Sequence, residues 1–283
     1  MGELPEDQSR PAIPGGRASA TAWAFALAVL LILAGTLALA WHPWFPPTAS
    51  LHGRGVQRML DYTLLATGGF FLLGHLVLAY VVLGVRRGEP SAPRPRTEWL
   101  VGLVPALAMA LVAEGGVLIL GLPVWAQYYG PAPAEALSVE VTGRQFFWVV
   151  RYPGRDGVFG RTSPGLIDTA NPRGLDRADP AAADDVVMLN ELSLPAGRAA
   201  RLTLRSTDVI HSFFVPELRV KQDAVPGMAI AIWFTPTQAA EYEIACNQIC
   251  GLGHYRMRGF LHVLEEEAFR RWLEGQTPFL EPA

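Results

Sequence analysis

The sequence predicts a membrane-anchored all-β protein: apolar helices first, then a water-exposed β-sandwich or barrel. Three observations predict it. The chain has 283 residues, 51% of them hydrophobic, and its mean hydropathy of +0.23 is high for a soluble protein. The apolar residues of the first half gather into long runs almost without charge, as bilayer-spanning helices require. From about Ala136 the pattern changes to short β-branched and aromatic runs bounded by Gly and Pro, the mark of an all-β sandwich or barrel. The net charge of −3 gives no reason to expect a nucleic-acid partner.

Residues 1–20 are polar and rich in Gly, Pro and Arg, and read as a disordered cytoplasmic tail. Residues 21–41 carry no charge and would span about 31 Å as a helix, enough for a bilayer core. They read as an N-terminal transmembrane helix or an uncleaved signal, because Ala38-Leu39-Ala40 looks like a small-residue cleavage site. Residues 42–59 read as a short loop whose Trp44 and Phe45, with Trp41 before them, suit an interfacial belt. Residues 60–127 read as a transmembrane helical hairpin, with runs from about Tyr62 to Val85 and from about Trp99 to Trp125. His75 inside the first run reads as a group that packs or hydrogen-bonds against a partner subunit. Glu114, inside the second, reads as functional or partner-facing, since charge at that depth is costly. Arg86, Arg87, Arg94 and Arg96 between the runs mark the cytoplasmic side, so the C-terminal half faces the periplasm or its equivalent.

Residues 136–265 form the water-exposed domain. Strand character shows at Val139–Val141, Phe146–Val150, Val186–Leu189, Arg201–Ser206, Met228–Phe234 and Gly259–Leu264. Residues 154–185, rich in Gly, Pro, Asp and Arg, read as a long surface insertion. Residues 266–283 read as a short amphipathic helix and tail.

The chemistry concentrates in one stretch. Both cysteines lie in Cys246-Asn247-Gln248-Ile249-Cys250-Gly251-Leu252-Gly253-His254-Tyr255-Arg256-Met257, and His211 lies upstream. Thiolate, imidazole and thioether donors together suit copper better than magnesium or calcium. A single copper of the blue type takes one thiolate, so the second needs another use. Two cysteines bridging two copper ions, each capped by one histidine, would use both. Met257 and the backbone carbonyl of Gln248 would then be weak further ligands. A Cys246–Cys250 disulfide, a zinc site, and Met257 as ordinary core are the rival uses of these residues.

The pattern Cys-x3-Cys-x3-His-x2-Met after an upstream histidine resembles the dinuclear copper A centre of cytochrome c oxidase subunit II. Thr97–Ala106 resembles that family's stretch entering its second helix, and Gly143–Trp148 its aromatic segment. Asp208–Gly227 resembles its histidine-bearing strand, and the likeness covers roughly residues 60–275. The resemblance implies a cupredoxin-like Greek-key β-barrel and copper held by His211, Cys246, Gln248, Cys250, His254 and Met257. It implies an electron-accepting subunit of a terminal respiratory oxidase, fed by cytochrome c. Electrons would pass to haem in subunit I, where oxygen is reduced to water with proton translocation. This chain has no haem ligand set of its own, so no catalytic residue is expected in it. Its partners would be subunit I, other oxidase subunits and membrane lipid, in a bacterial inner (plasma) membrane.

The family's acid at the mouth of a proton channel falls on Glu98. Phe146 stands where many members carry the tryptophan that accepts electrons, so Phe146 and Trp148 are the electron-path candidates. The family's residue between the cysteines is usually a glutamate that helps hold magnesium; here it is Gln248, whose amide is a weaker magnesium ligand. The helix at 21–41 also departs from the family's two. Two other functions share these features: the copper A subunit of a haem–copper nitric oxide reductase, and a membrane-anchored copper-handling protein. Residues 137–265 hold 14 acidic against 13 basic side chains, so only a local patch, from Asp176, Asp179, Asp184 and Asp185, would steer a basic partner.

Overall fold

The computed structural model describes residues 20–40, 44–85 and 98–280. The tail at 1–19 and the arginines at 86, 87, 94 and 96 lie outside the described residues. The chain forms two compact units, one holding Asp61–Leu118 with the chain before Phe45, the other Phe45–Leu60 with Ile119–Ala283.

Helix α1 (Ala20–Ala40) matches the first apolar run. Helix α2 runs Leu51–Val85, and α3 (Glu98–Met109) continues through a π-helical turn at Ala110–Glu114 into α4 (Gly115–Tyr129). Leu51–Tyr80 and Trp99–Tyr129, of 30 and 31 residues, are long and apolar enough to cross a membrane. The Tyr62 hydroxyl donates to the Val112 carbonyl inside the π turn, where the helical hydrogen-bond ladder is interrupted. Glu114 closes that turn with an exposed side chain. His75 Nδ1 lies 2.8 Å from the Phe71 carbonyl one turn back in the same helix. Glu98 opens α3, and its side chain lies outside the described residues.

The loop expected over 42–59 is only partly a loop, because α2 starts at Leu51. Ser50 caps the helix: its hydroxyl accepts from the Gly53 N–H at 2.9 Å. The same hydroxyl donates to the Leu218 carbonyl at 2.7 Å. Ala49 pairs with Glu217 and Thr237 through its backbone. The guanidinium of Arg219 spans Gln57, Pro46 and Pro216. Tyr128 near the end of α4 donates to the Arg219 carbonyl at 2.7 Å, and Trp233 to that of Gly130 at 3.0 Å. The first turns of α2 and the last of α4 are thus built into the β unit, a docking that hydropathy alone does not reveal.

That unit is a sandwich of two five-stranded sheets. One holds β1 (Leu137–Arg144), β2 (Phe147–Tyr152), β3 (Val186–Leu189), β5 (Ala200–Ser206) and β8 (Ile230–Phe234), in the order β3-β2-β1-β5-β8. The other holds β4 (Glu191–Pro195), β6 (His211–Val215), β7 (Val220–Ala224), β9 (Ala240–Cys246) and β10 (Arg258–Leu264), in the order β4-β10-β9-β6-β7. Alternation along β1 sends Val139 and Val141 into the core. Trp148, Phe213, Leu202, Leu204, Ile244 and Leu261 fill it, all fully buried. The Tyr152 hydroxyl crosses between the sheets, accepting from the Ser193 N–H at 2.7 Å and donating to its carbonyl at 3.0 Å. Helix α5 (Glu266–Glu274) buries Phe269 and sets Trp272 edge-on to Tyr152.

The segment 154–185 is more than a surface insertion. It folds as a lobe over the outer face of the first sheet, burying Arg173 and Leu175. There Glu140, 6% exposed, meets Arg151, Arg173 and Arg205, and Arg151 also bonds Asp185 at 3.0 Å. Composition hid this, because the arginine and aspartate that look solvated in sequence pair across 33 and 34 residues with strand groups. Asp176 and Asp179 pair with Arg161, and Asp184 accepts the Arg155 and Asp156 N–H groups. The acidic patch expected from Asp176, Asp179, Asp184 and Asp185 is therefore not a free anionic face.

Burial alone would raise the Glu140 carboxyl, but the three guanidiniums outweigh burial and hold it below the usual carboxylate range. Its contribution to stability is therefore present at neutral pH and fades as pH falls through that range. Glu140→Gln leaves three buried or half-buried cations around a neutral amide. We expect a loss of about 3–5 kcal/mol, the cost of breaking a buried pair, read by urea unfolding with tryptophan fluorescence. A loss under about 1 kcal/mol would mean that solvent screens the arginines.

Candidate metal centre

The soft donors converge at one end of the second sheet. His211 opens β6, Cys246 ends β9, and the loop 247–257 crosses to β10. Backbone bonds pin that loop: Cys246 N–H to the Met257 carbonyl at 3.2 Å and Asn247 N–H to that of Ser212 at 3.0 Å. The two sulfurs stand 3.8 Å apart, and both thiols are free. That separation excludes a disulfide here, since a sulfur–sulfur bond is about 2.0 Å.

Each thiol has its own imidazole. His211 Nδ1 lies 3.9 Å from Cys246 Sγ, and His254 Nδ1 lies 3.6 Å from Cys250 Sγ. Met257 Sδ is 3.8 Å from Cys250 Sγ, and the Gln248 carbonyl oxygen is 3.3 Å from Cys246 Sγ. All six residues expected as ligands are thus brought together. Donor atoms of His211, Cys246 and Cys250 lie within 4.8 Å of one another, a group able to hold a metal ion. Metal–thiolate bonds are about 2.3 Å, so ions bridging both sulfurs fit this spacing. Two thiols, each with a separate imidazole and a separate weak donor, fit a pair of soft ions better than one tetrahedral zinc.

Asp208 orients the first imidazole. Its carboxylate accepts from His211 Nε2 at 2.8 Å, which turns Nδ1 toward the thiols. It also accepts the N–H groups of Gln145 and Val209, each at 2.7 Å. Burial would raise this carboxyl, but those donors and His211 outweigh burial and hold it low. Burial likewise pushes the Cys250 thiol up, helped by the neighbouring sulfur, whereas His211 and backbone N–H donors pull Cys246 down against its burial. One thiol is thereby poised to ionise before the other.

Close approach sets the rest. A Cβ on Gly143 would lie 2.7 Å from the His211 ring, and one on Gly253 would lie 2.4 Å from the Phe146 ring. Phe146 therefore lies flat under the metal loop and still reaches the surface, 36% exposed. Gln145 beside it donates its amide to the Cys250 carbonyl at 2.5 Å. Trp148 is fully buried, edge-on to His211 with ring centroids 6.0 Å apart. Arg258 sits exposed with its guanidinium over the Phe260 ring. Sequence reasoning missed the apolar rim of the loop: Ile249, Leu252 and Tyr255 are 84%, 97% and 81% exposed. Their place between ligands in a loop too short to fold back was the available signal. It also missed Gln145, whose side chain carries no chemical pattern of its own.

Comparison with known proteins places this geometry. A family model described as cytochrome c oxidase subunit II, periplasmic domain, matches residues 137–263. The alternative cytochrome c oxidase subunit 2 of Bradyrhizobium diazoefficiens is 35% identical over 263 residues, covering 90% of this chain and 93% of that protein. Cytochrome c oxidase subunit 2 of Cereibacter sphaeroides is 31% identical over 250 residues, covering 81% of this chain and 78% of that protein. The crystal structure of the periplasmic domain of subunit II of cytochrome oxidase from Bradyrhizobium japonicum is 28% identical, covers 51% of this chain and 95% of its own, and has a TM-score of 0.38. With relatives of that identity spanning most of both chains, and the donor constellation intact, the chain belongs to the cytochrome c oxidase subunit II family.

Proposed function

We propose that this chain is the electron-accepting subunit of a terminal respiratory oxidase. It takes electrons from cytochrome c and hands them to haem in subunit I, where oxygen is reduced to water with proton translocation. The observation that carries this reading is the pairing of each thiol with its own imidazole around one sulfur–sulfur contact. His211, Cys246, Gln248 through its carbonyl, Cys250, His254 and Met257 would hold two copper ions. When bound, such a pair supplies a one-electron couple whose charge change is shared by two metals. The protein's part is to keep the donors still: both thiols are nearly buried and Met257 is 2% exposed. Rigid, water-poor donors reorganise little when charge arrives.

Phe146 is the group that joins the outer surface to the metal loop, so it is the proposed path inward. Trp148, buried behind His211, packs the imidazole and lies off the surface route. Glu98 is the proposed acid at the proton-channel mouth. Gln248 has an exposed side chain. Its amide gives little reason to place magnesium beside it. In the membrane, Leu51–Tyr80 and Trp99–Tyr129 would form the hairpin, with the copper domain on the outer face of a bacterial plasma membrane.

The decisive experiment loads the detergent-solubilised full chain with copper and records its electron paramagnetic resonance spectrum. Hyperfine coupling to two equivalent copper nuclei is expected, and Cys250→Ser should reduce it to a mononuclear spectrum. A one-copper spectrum from the unaltered chain would sink the reading. Asp208→Ala frees the His211 ring, so copper affinity should fall about 10- to 100-fold. Phe146→Ala should slow electron transfer from cytochrome c while leaving the copper spectrum unchanged; an unchanged rate would move the path elsewhere. With its acids and bases nearly balanced in number, the domain should show turnover only weakly dependent on salt.

A further inference from the structure

A cleft that the metal centre does not use runs between the outer face of the first sheet and the lobe at 154–185. Thr142, Thr162, Arg173, Arg205, Ser206 and Thr207 line it, around a volume of about 390 Å³. Two of these residues are almost wholly buried and carry unsatisfied polar atoms. Thr142 is 1% exposed and Arg173 is 7% exposed, yet Thr142 Oγ1 and Arg173 Nε have no hydrogen-bond partner among the described residues. Buried donors left unpaired are costly and rare, so such a pair beside a cleft points to a missing acceptor.

Charge points the same way. Around Glu140 and Asp185 stand Arg151, Arg173 and Arg205, three cations for two carboxylates. Arg151 is spent inside the cluster, donating to Glu140, Asp185 and the Gly160 carbonyl. Arg205 reaches Glu140 through Nε at 3.2 Å, and its side chain is 38% exposed at the cleft. The surplus positive charge therefore opens onto the cleft rather than onto the core. A neighbouring hollow shares Pro164, Ile167 and Thr207 with it and is lined further by Arg144, Gln145 and the Asp208 carboxylate, so the surplus belongs to the first cleft.

We propose that this cleft binds a small oxyanion of the phosphate class, held by the guanidiniums of Arg173 and Arg205 and the hydroxyl of Thr142. Guanidinium forks and hydroxyls match tetrahedral oxyanions in geometry as well as charge. The ligand is either free inorganic phosphate or the phosphate group of a small monoester. The inference stands on this cleft alone and does not depend on copper or electron transfer.

The test is calorimetric titration of the full chain in detergent, at constant ionic strength set by chloride, with inorganic phosphate and separately with glycerol 3-phosphate. Saturable binding of either is expected, and the tighter of the two names the source. Arg205→Gln should weaken it about tenfold or more, as expected for losing a charge-assisted hydrogen bond. Thr142→Val, which changes no charge, should weaken it as well. Arg201→Gln is the control: the same strand loses the same charge, but Arg201 lines a different hollow, and binding should not change. Circular dichroism reports whether each variant keeps its fold, and Thr142→Val carries the test if Arg205→Gln does not. Absence of saturable binding to the unaltered chain overturns the proposal. So does equal weakening by Arg201→Gln and Arg205→Gln, or no weakening by Thr142→Val.

Discussion

The Asp208 carboxylate is the interaction on which the metal centre's geometry rests. It accepts from the backbone of the β1–β2 turn at Gln145, from Val209, and from the far nitrogen of His211. One side chain thus locks the turn to the strand that presents the first imidazole. The turn then does two further things. Gln145 holds the Cys250 carbonyl, and Phe146 supplies the flat surface on which the loop's glycines lie. Remove the carboxylate, and the imidazole, the turn and the second cysteine lose their common reference. A donor set in which each side chain stands within 4 Å of a neighbouring cysteine sulfur tolerates little such looseness.

Buried polar contacts tie the scaffold around that centre together. Tyr152 ties the two sheets through Ser193, and the Glu140 cluster ties the first sheet to the 154–185 lobe. Ser50 and Arg219 tie the root of α2 to the second sheet's β6–β7 turn, while Tyr128 brings the end of α4 to the same place. That turn follows β6, whose first residue is His211. The strand bearing the imidazole is therefore braced at its metal end by Asp208 and at its other end by helix roots. Bracing at both ends leaves the imidazole few ways to move, which is what a low-reorganisation electron site needs.

The donor set was legible because its chemistry is local: cysteine, histidine and methionine at fixed spacing declare themselves without a fold. The apolar helices and the alternation of Arg201–Ser206 were legible because burial writes itself as period and length. β9 was harder, because Ala240–Cys246 mixes exposed glutamates with buried Tyr242 and Ile244 beside the loop that drew attention. The start of α2 was hidden for the opposite reason. Leu51–Leu60 carries Arg54, Gln57 and Arg58, polar enough to read as loop, although Ser50 already signalled a cap. The 154–185 lobe was illegible in principle, since composition records charges but not their partners. Gln145 is the same case at the centre, where meaning comes from what it touches, whereas Asp208, three residues before His211, was already placed beside it by spacing.

The apolar rim of the metal loop follows from these constraints. Ile249 sits between the cysteines and Leu252 between Cys250 and His254, while Tyr255 sits between His254 and Met257. Because the ligand side chains turn inward, the residues between them must turn outward. Beside exposed Asn247, Gln248 and Arg256, the sequence places three large apolar side chains there, almost wholly exposed. Exposed apolar surface gathered on one short loop marks a contact surface rather than a solvated one. Asp176, Asp179, Asp184 and Asp185 are engaged by Arg161, Arg151 and backbone N–H groups, and the domain's acids and bases are nearly balanced, so little net field remains to orient a partner from afar. Whatever covers these side chains would also exclude water from the surface over the thiols, lowering the local dielectric there.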